Sequence, residues 1–338
     1  MSSVLLSTIG VDLHDTGRGH PEAPARLEAA LAGAAASVAH AIAVDPDPAE
    51  RADLERVHSA AYLDRLERFV ADGGGALDAD TIASPGSWDT ARRGAAAGLV
   101  AIDALRDGTH DSAFVATRPP GHHALRDRAM GFCIVNHIAV AAAALVAVDE
   151  RVLIVDWDVH HGNGTEAIFW DDPSVMYVST HQSNFYPGTG APTDTGGAGA
   201  PATTCNFALP RGATGDVALR ALDDVVAPAV ERFAPTWVLV SCGFDAHRDD
   251  PLAGLAWSTG DYALLVDRVR QFTPSPGRLA LFLEGGYDLD ALARSTAVTF
   301  TALADGDVRA SPGYEPPTSG GPGLDAIRDT AAAHARFT

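Results

Sequence analysis

The sequence predicts one α/β domain built on a parallel, doubly wound sheet. Three observations carry that reading. Short β-branched apolar runs alternate with helical patterns along the chain. The clearest run, Val152 to Val155, holds no charge, as a strand buried on both faces requires. Residues able to do chemistry begin where several runs stop, at the edge where open α/β sheets bind ligands. The alternating pattern fills residues 1–309. Residues 310–338, rich in Pro and Gly and ending in a short helix, are packed on the same domain or trail from it.

Taken in order, Val4–Ile9 reads as a strand, Pro24–Ala36 as a helix and Ala41–Val44 as a second strand closed by Asp-Pro-Asp-Pro. Leu54–Val70 carries Tyr62, Leu63, Leu66 and Phe69 at helical spacing. Asp72 to Gly75 is a turn. Ser87–Leu105 is an Ala-rich helix closed by Asp107-Gly108. Strand Ala113–Ala116 runs into a loop stiffened by Pro119, Pro120 and Gly121, and helix Val135–Val148 follows. After Val152–Val155 come Gly162 and Gly164, with a helix predicted beyond them. Val175–Ser179 and Thr203–Leu209 read as strands, and the Gly-rich loop 181–201 between them is long enough to be functional. Helix Asp216–Phe233, strand Trp237–Val240, helix Asp261–Arg270, strand Leu279–Leu283 and helix Leu289–Ala304 complete the alternation.

The chain has 338 residues, a 46% hydrophobic fraction and a formal net charge of −20. That balance repels a nucleic-acid backbone and attracts cations. The longest apolar stretch, Ala139 to Val148, is too short to span a membrane, so no membrane partner is expected. The first residues lack the basic region of a signal peptide. Three scattered cysteines, Cys133, Cys205 and Cys242, fit buried thiols in a reducing, cytoplasmic setting.

Four strand ends carry unusual polar residues: His122 and His123; Asp156, Asp158 and His160; Asp245; and Tyr287. On an extended backbone Asp156, Asp158 and His160 alternate and lean to one side, while His161 points away and takes a structural role. Catalytic zinc takes three protein ligands and keeps one position open. Asp158, His160 and Asp245 supply an imidazole and two carboxylates for it. Two carboxylates leave the metal a modest Lewis acid, so a donor such as the Tyr287 phenol is needed at the developing oxyanion. One of the paired histidines would take a proton from water and one would protonate the leaving amine. Asp156 and Asn163 are the available groups for fixing their tautomers.

These residues resemble the zinc-dependent histone deacetylase family, which includes acetylpolyamine amidohydrolases and acetoin-utilisation proteins. The resemblance runs from His14 to about Ala304. It rests on Arg118-Pro-Pro-Gly-His-His-Ala124, Gly131-Phe-Cys133, Asp156-Trp-Asp-Val-His-His-Gly-Asn-Gly164, Tyr186-Pro-Gly-Thr-Gly190, Gly243-Phe-Asp-Ala246 and Glu284-Gly-Gly-Tyr287. It implies an arginase/deacetylase-like fold with an eight-stranded parallel sheet. It implies one zinc ion on Asp158, His160 and Asp245, His123 as general base, and His122 as its partner. It pairs His122 with Asp156 and His123 with Asn163, and makes Tyr287 the oxyanion donor. Asn163, where other members carry Asp, resembles the class II side of the family. Gly131, Phe132 and Tyr186 match the walls of the substrate tunnel. Leu252 stands where the vertebrate polyamine-specific branch has a glutamate, and Asp80 is a rim candidate for gripping an amide or a distal amine. Potassium near Asp156, Asp158, His160, Ser179 and Thr180 is also implied.

The reading is therefore an amidohydrolase that removes acetyl or short acyl groups from cationic amines such as acetyllysine, with acetylpolyamines or small N-acyl amines as the alternative substrates. A homo-oligomer is compatible with it. A two-manganese ureohydrolase on a similar fold would need an Asp-x-His-x-Asp order, and the order here is Asp-x-Asp-x-His. A non-catalytic acyl-amine binding protein would have no use for the two histidines and the tyrosine together.

Overall fold

A computed structural model describes residues 2–9, 12–37 and 42–337. The strands are β1 (Val4–Thr8), β2 (Ile42–Val44), β3 (Gly75–Ala76), β4 (Ile82–Ala83), β5 (Ser112–Ala116), β6 (Val152–Asp156), β7 (Val175–Gln182), β8 (Thr204–Leu209), β9 (Trp237–Cys242) and β10 (Leu279–Leu283). All but β3 and β4 join one sheet of eight strands in the order β2-β1-β5-β10-β9-β6-β7-β8. Every ladder in it is parallel. An eight-stranded parallel sheet is what the family resemblance implies. Alternation along β6 shows why the sheet is covered twice. Val152 and Ile154 join the core on one face, Leu153 and Val155 the core on the other.

Sheet order explains how the chemistry converges. β5, β10, β9 and β6 are consecutive neighbours, although they lie far apart in the chain. Parallel strands put all their C-terminal ends on one edge. The loops carrying His122 and His123, Tyr287, Asp245 and Asp158 are therefore adjacent.

Several elements differ from the sequence expectation. Leu54–Val70 is not one helix but two, Arg51–Leu54 and Ala60–Ala71. Ser59 starts the second by accepting the Tyr62 N–H. His58 is turned inward instead, paired with the Leu125 carbonyl and accepting the Asn136 N–H. The Asn136 side chain caps the next helix, which begins at His137 and not at Val135. Asp216–Phe233 contains a π-helical segment, Leu222–Val226, just before Pro228, which has no N–H to give. The turn after Asp72 continues into an antiparallel hairpin, β3 and β4, whose Thr81 hydroxyl accepts the Phe132 N–H. Strand β2 begins at Ile42; Ala41 lies outside the described residues.

The C-terminal segment is tied down. Glu315 pairs with Arg248 and Arg294, Thr318 bonds Asp261, and helix Leu324–His334 packs on β8 through the Thr330 hydroxyl and the Asn206 carbonyl.

One buried ion cluster links the loops at the C-terminal edge. Glu22, wholly buried, accepts from Arg118 at 2.7 and 2.8 Å and from Arg26 at 3.2 Å. Arg118 opens the histidine loop, and Arg26 reaches the Glu284 and Gly286 carbonyls at 2.5 and 2.6 Å. One carboxylate thus joins the loop after β5 to the loop after β10. Burial opposes the Glu22 charge, but His14, Arg118 and Arg26 outweigh it and hold the acid far below its usual range. A depressed folded-state pKa contributes stability that is complete above the unfolded value and is lost as pH falls. Glu22→Gln should therefore cost about 3–5 kcal/mol in urea unfolding at pH 7, because buried Arg26 loses its counter-charge and buried Arg118 keeps only Asp12. The deficit against the wild type should shrink below about pH 4. A loss below about 1 kcal/mol at pH 7 would reduce the cluster to an incidental contact.

Candidate active site

Beyond Asp156 the extended alternation ends. Each acid captures an N–H two residues on: Asp158 N–H donates to Asp156 Oδ1 at 3.2 Å, and His160 N–H to Asp158 Oδ1 at 2.9 Å. The chain bends, yet Asp156 and Asp158 both face the His122 ring, at 3.0 and 3.8 Å, and His160 meets Asp158 at 3.0 Å. The next helix starts at Asn163, earlier than the glycines suggest. Asp156 stays at the end of β6, while Asp158 and His160 face Asp245 from the end of β9.

Asp158, His160 and Asp245 form a buried cluster whose candidate ligand atoms lie within 4.8 Å of one another. His160 Nδ1 stands 3.0 Å from Asp158 Oδ1 and 3.2 Å from Asp245 Oδ2. One ring nitrogen can donate only one proton, and Asp245 Oδ2 is left buried without a hydrogen bond. The other carboxylate oxygens are engaged: Asp158 Oδ2 accepts the Gly285 N–H at 2.7 Å and Asp245 Oδ1 the Val159 N–H at 2.9 Å. A Cβ on Gly285 would fall 2.0 Å from Asp245 Oδ2, so only glycine admits both acids here. Burial and the Asp158 charge push Asp245 up to about 7. A lone pair pointed at a neighbouring imidazole and a second buried acid is the donor set of a divalent cation.

Two further clusters occur among the described residues. In His122–Cys133–Glu284 the Glu284 carboxylate is already occupied by the Gly121 and His122 N–H groups and the Ser241 hydroxyl. In His247–Asp249–Glu315 both acids are paired with arginines.

The two histidine rings lie 4.1 Å apart, tilted by 44°, yet sit in opposite fields. His122 Nδ1 is 3.0 Å from Asp156 Oδ2, which also accepts from the Tyr177 hydroxyl at 3.0 Å. Burial disfavours charge on His122, but Asp156, Asp158 and Glu284 prevail and raise it to about 10. Burial would also raise Asp156. The proton nonetheless belongs on the imidazole, because three donors converge on the carboxylate. His123 Nδ1 is 2.8 Å from Asn163 Oδ1, a neutral acceptor. Burial, and then the charges of His122 and His160, hold His123 well below its ordinary value. The pair therefore offers one charged and one neutral imidazole.

Tyr287 follows β10 on a loop clamped from both sides. Its N–H donates to Asp250 Oδ2 at 2.6 Å, and the Arg26 guanidinium lies 4.8 Å over its ring. Among the described residues its hydroxyl has no hydrogen-bond partner, so it is free to meet a ligand. Burial pushes the phenol well above its usual pKa, which keeps it a donor.

Of the proposed wall residues, Phe132 meets Tyr287 edge-on at 5.8 Å and Tyr186 meets His123 edge-on at 5.2 Å. Gly131, at φ +56°, lets the turn pass His123; a Cβ there would come within 2.5 Å of the imidazole. Asp80, on the hairpin loop, is near enough to Tyr186 to raise its phenol after burial has done so. Leu252 lies beside Asp250, donating its N–H to that carboxylate. The Ser179 hydroxyl faces His181, and the Thr180 hydroxyl is buried without a partner among the described residues. His161 lies away from the cluster, between Thr189 and Glu166.

Sequence reasoning missed Glu22, Arg26 and Asp250. Opposite charges four apart at a helix start, Glu22 and Arg26, were a usable signal. Asp250 offered only a local turn with the Leu252 N–H, since the partners that matter to the site are backbone groups 37 and 38 residues away.

The fold and site define a class: an α/β protein with a buried candidate metal cluster, two histidines and a tyrosine at one sheet edge, an arrangement consistent with hydrolysis of amide C–N bonds. Comparison with known proteins narrows it. Residues 20–303 match the histone deacetylase domain. A probable deacetylase of Methanothermobacter thermautotrophicus is 39% identical over 330 residues, covering 96% of each chain. The chloroplastic histone deacetylase 10 of rice is 41% identical over 275 residues, 77% of this chain and 62% of that protein. This chain thus spans less than two thirds of the rice protein's length. The crystal structure of the HDA15 HD domain superposes with a TM-score of 0.86 at 31% identity, over 99% of this chain and 96% of that one. The chain belongs to the histone deacetylase family. No helix among the described residues is long and apolar enough to cross a membrane.

A buried cluster that needs a cation should bind one tightly enough to raise stability. Returning a divalent metal to chelator-treated protein should raise its melting temperature in a concentration-dependent way. An unchanged transition across zinc, cobalt and manganese would contradict a metal-binding cluster.

Proposed function

We propose that this chain is a zinc-dependent amidohydrolase that removes acetyl or short acyl groups from amines at the end of an alkyl chain, acetyllysine among them. The observation that carries the reading is the unpaired Asp245 oxygen turned toward His160 beside Asp158, with two histidines and an unpartnered tyrosine around it. Asp158, His160 and Asp245 would hold the metal. Bound there, zinc supplies a Lewis acid that polarises the acyl carbonyl and lowers the pKa of water toward ~7.

The chain's own residues do the rest. Neutral His123 takes a proton at Nε2, since Asn163 occupies its Nδ1 side. His122, kept charged by Asp156, steadies negative charge on the reacting centre and shares the return of a proton to the leaving amine. The Tyr287 hydroxyl donates to the acyl oxygen. Phe132 and Tyr186, with Gly131 beside them, sandwich the alkyl chain, and Leu252, next to Asp250, adds a further substrate contact. Asp80 grips a distal amide or ammonium at the rim, which the net charge of −20 favours for cationic substrates. Neutral Asn163 supports a class II-like reading of the chain. Residues 1–309 form the catalytic domain and 310–338 a packed appendage. Potassium held largely by carbonyls around Asp156, Asp158, His160, Ser179 and Thr180, a cytoplasmic location and self-association complete the reading. Three free, buried cysteines support the reducing compartment.

Turnover of a fluorogenic acetyllysine amide by the zinc-loaded protein tests this. Tyr287→Phe should cut kcat by about 10²–10³ while zinc content stays at one per chain, the cost of losing an oxyanion donor. Near-normal rates would remove Tyr287 from the chemistry. A zinc-loaded wild type inert toward acetyllysine, acetylputrescine and simple acylamides would overturn the amidohydrolase reading.

A further inference from the structure

Asn163 poses a problem that a carboxylate would not. The two ends of its amide are nearly the same size, so packing alone discriminates weakly between them. With Oδ1 toward His123, the ring must carry its proton on Nδ1, and the Nε2 lone pair is free to accept one. With Nδ2 toward His123, the amide donates into Nδ1, the ring proton moves to Nε2, and that lone pair is gone. Both arrangements are neutral, and only the first leaves His123 a base.

The other end of the amide shows what selects between them. Asn163 Nδ2 lies 3.4 Å from Met130 Sδ. A thioether sulfur accepts weakly and has no proton to give. Reversing the amide would set an oxygen lone pair against it. Arg128 approaches the same sulfur with a guanidinium N–H at 3.8 Å, so both polar neighbours use it as an acceptor. The sulfur is also held in place. Met130 and Cys133 exchange backbone hydrogen bonds at 2.9 and 3.1 Å around a turn in which Gly131 and Phe132 both have positive φ.

We propose that Met130 is a positioning residue that sets the direction of the Asn163 amide and, through it, the tautomer of His123. This rests on the reading of His123 as the base.

Met130→Leu keeps side-chain volume and removes the acceptor. It should lower kcat by up to about twofold with little change in KM, because losing a weak hydrogen bond takes the amide from mainly one direction to a near-equal mixture. In an Asn163→Asp background, where the two ends are alike, the same substitution should leave kcat unchanged. Equal losses in both backgrounds would mean that Met130 acts through packing and would overturn the proposal. A second readout needs no turnover. In protein labelled with ¹⁵N-histidine, the His123 ring should report Nδ1–H alone in the wild type and a mixture of tautomers in Met130→Leu. An unchanged tautomer in Met130→Leu would overturn the proposal whether or not the protein hydrolyses anything, which separates its failure from failure of the amidohydrolase reading.

Discussion

Two acids that should repel, Asp158 and Asp245, are buried side by side with one imidazole between them. Much of the C-terminal edge is arranged around that fact. Like charges withdrawn from water cost several kcal/mol unless something positive or a donor meets them. The protein supplies part of the compensation itself: N–H groups from Gly285 and Val159, and the ring of His160. It leaves one Asp245 oxygen unmet. Residues folded this way favour a cation over solvent, and a divalent ion would turn the largest local penalty into a binding site.

Around this centre the loops are held by charge more than by apolar contact. Glu22 draws Arg118 and Arg26 together. Arg26 then grips the carbonyls beside Tyr287, while Asp250 takes the N–H groups of Tyr287 and Asp288 from the opposite side. A tyrosine on a glycine-rich turn would otherwise sample many positions. Clamped at both backbone edges, it keeps one. The same logic extends to the histidine pair. Asp156, with Asp158 and Glu284, keeps His122 charged, while burial and the charges of His122 and His160 keep His123, which faces the neutral Asn163, uncharged.

Most of this architecture was legible before any coordinates. Alternation of runs and helical patterns marked the parallel sheet, and strand ends marked where the chemistry would gather. Register along Val152–Val155 was readable because burial on both faces leaves a continuous apolar run. Less was readable where side chains capture backbone. The bend after Asp156 follows from carboxylates taking N–H groups two residues on, which competes with the extended pattern and wins. The break at His58 depends on partners at Leu125 and Asn136, far along the chain. The Glu22–Arg118 pair and the Asp250 clamp are likewise long-range, and no local periodicity encodes them.

Asp158, His160 and Asp245 together fit a single divalent ion. Anomalous diffraction at the zinc edge, from crystals grown with zinc, tests it most directly. One peak is expected, about 2.0–2.2 Å from His160 Nδ1 and from an oxygen of each aspartate. A peak at His122–Cys133–Glu284 or at His247–Asp249–Glu315 instead, or no peak at all, would contradict it.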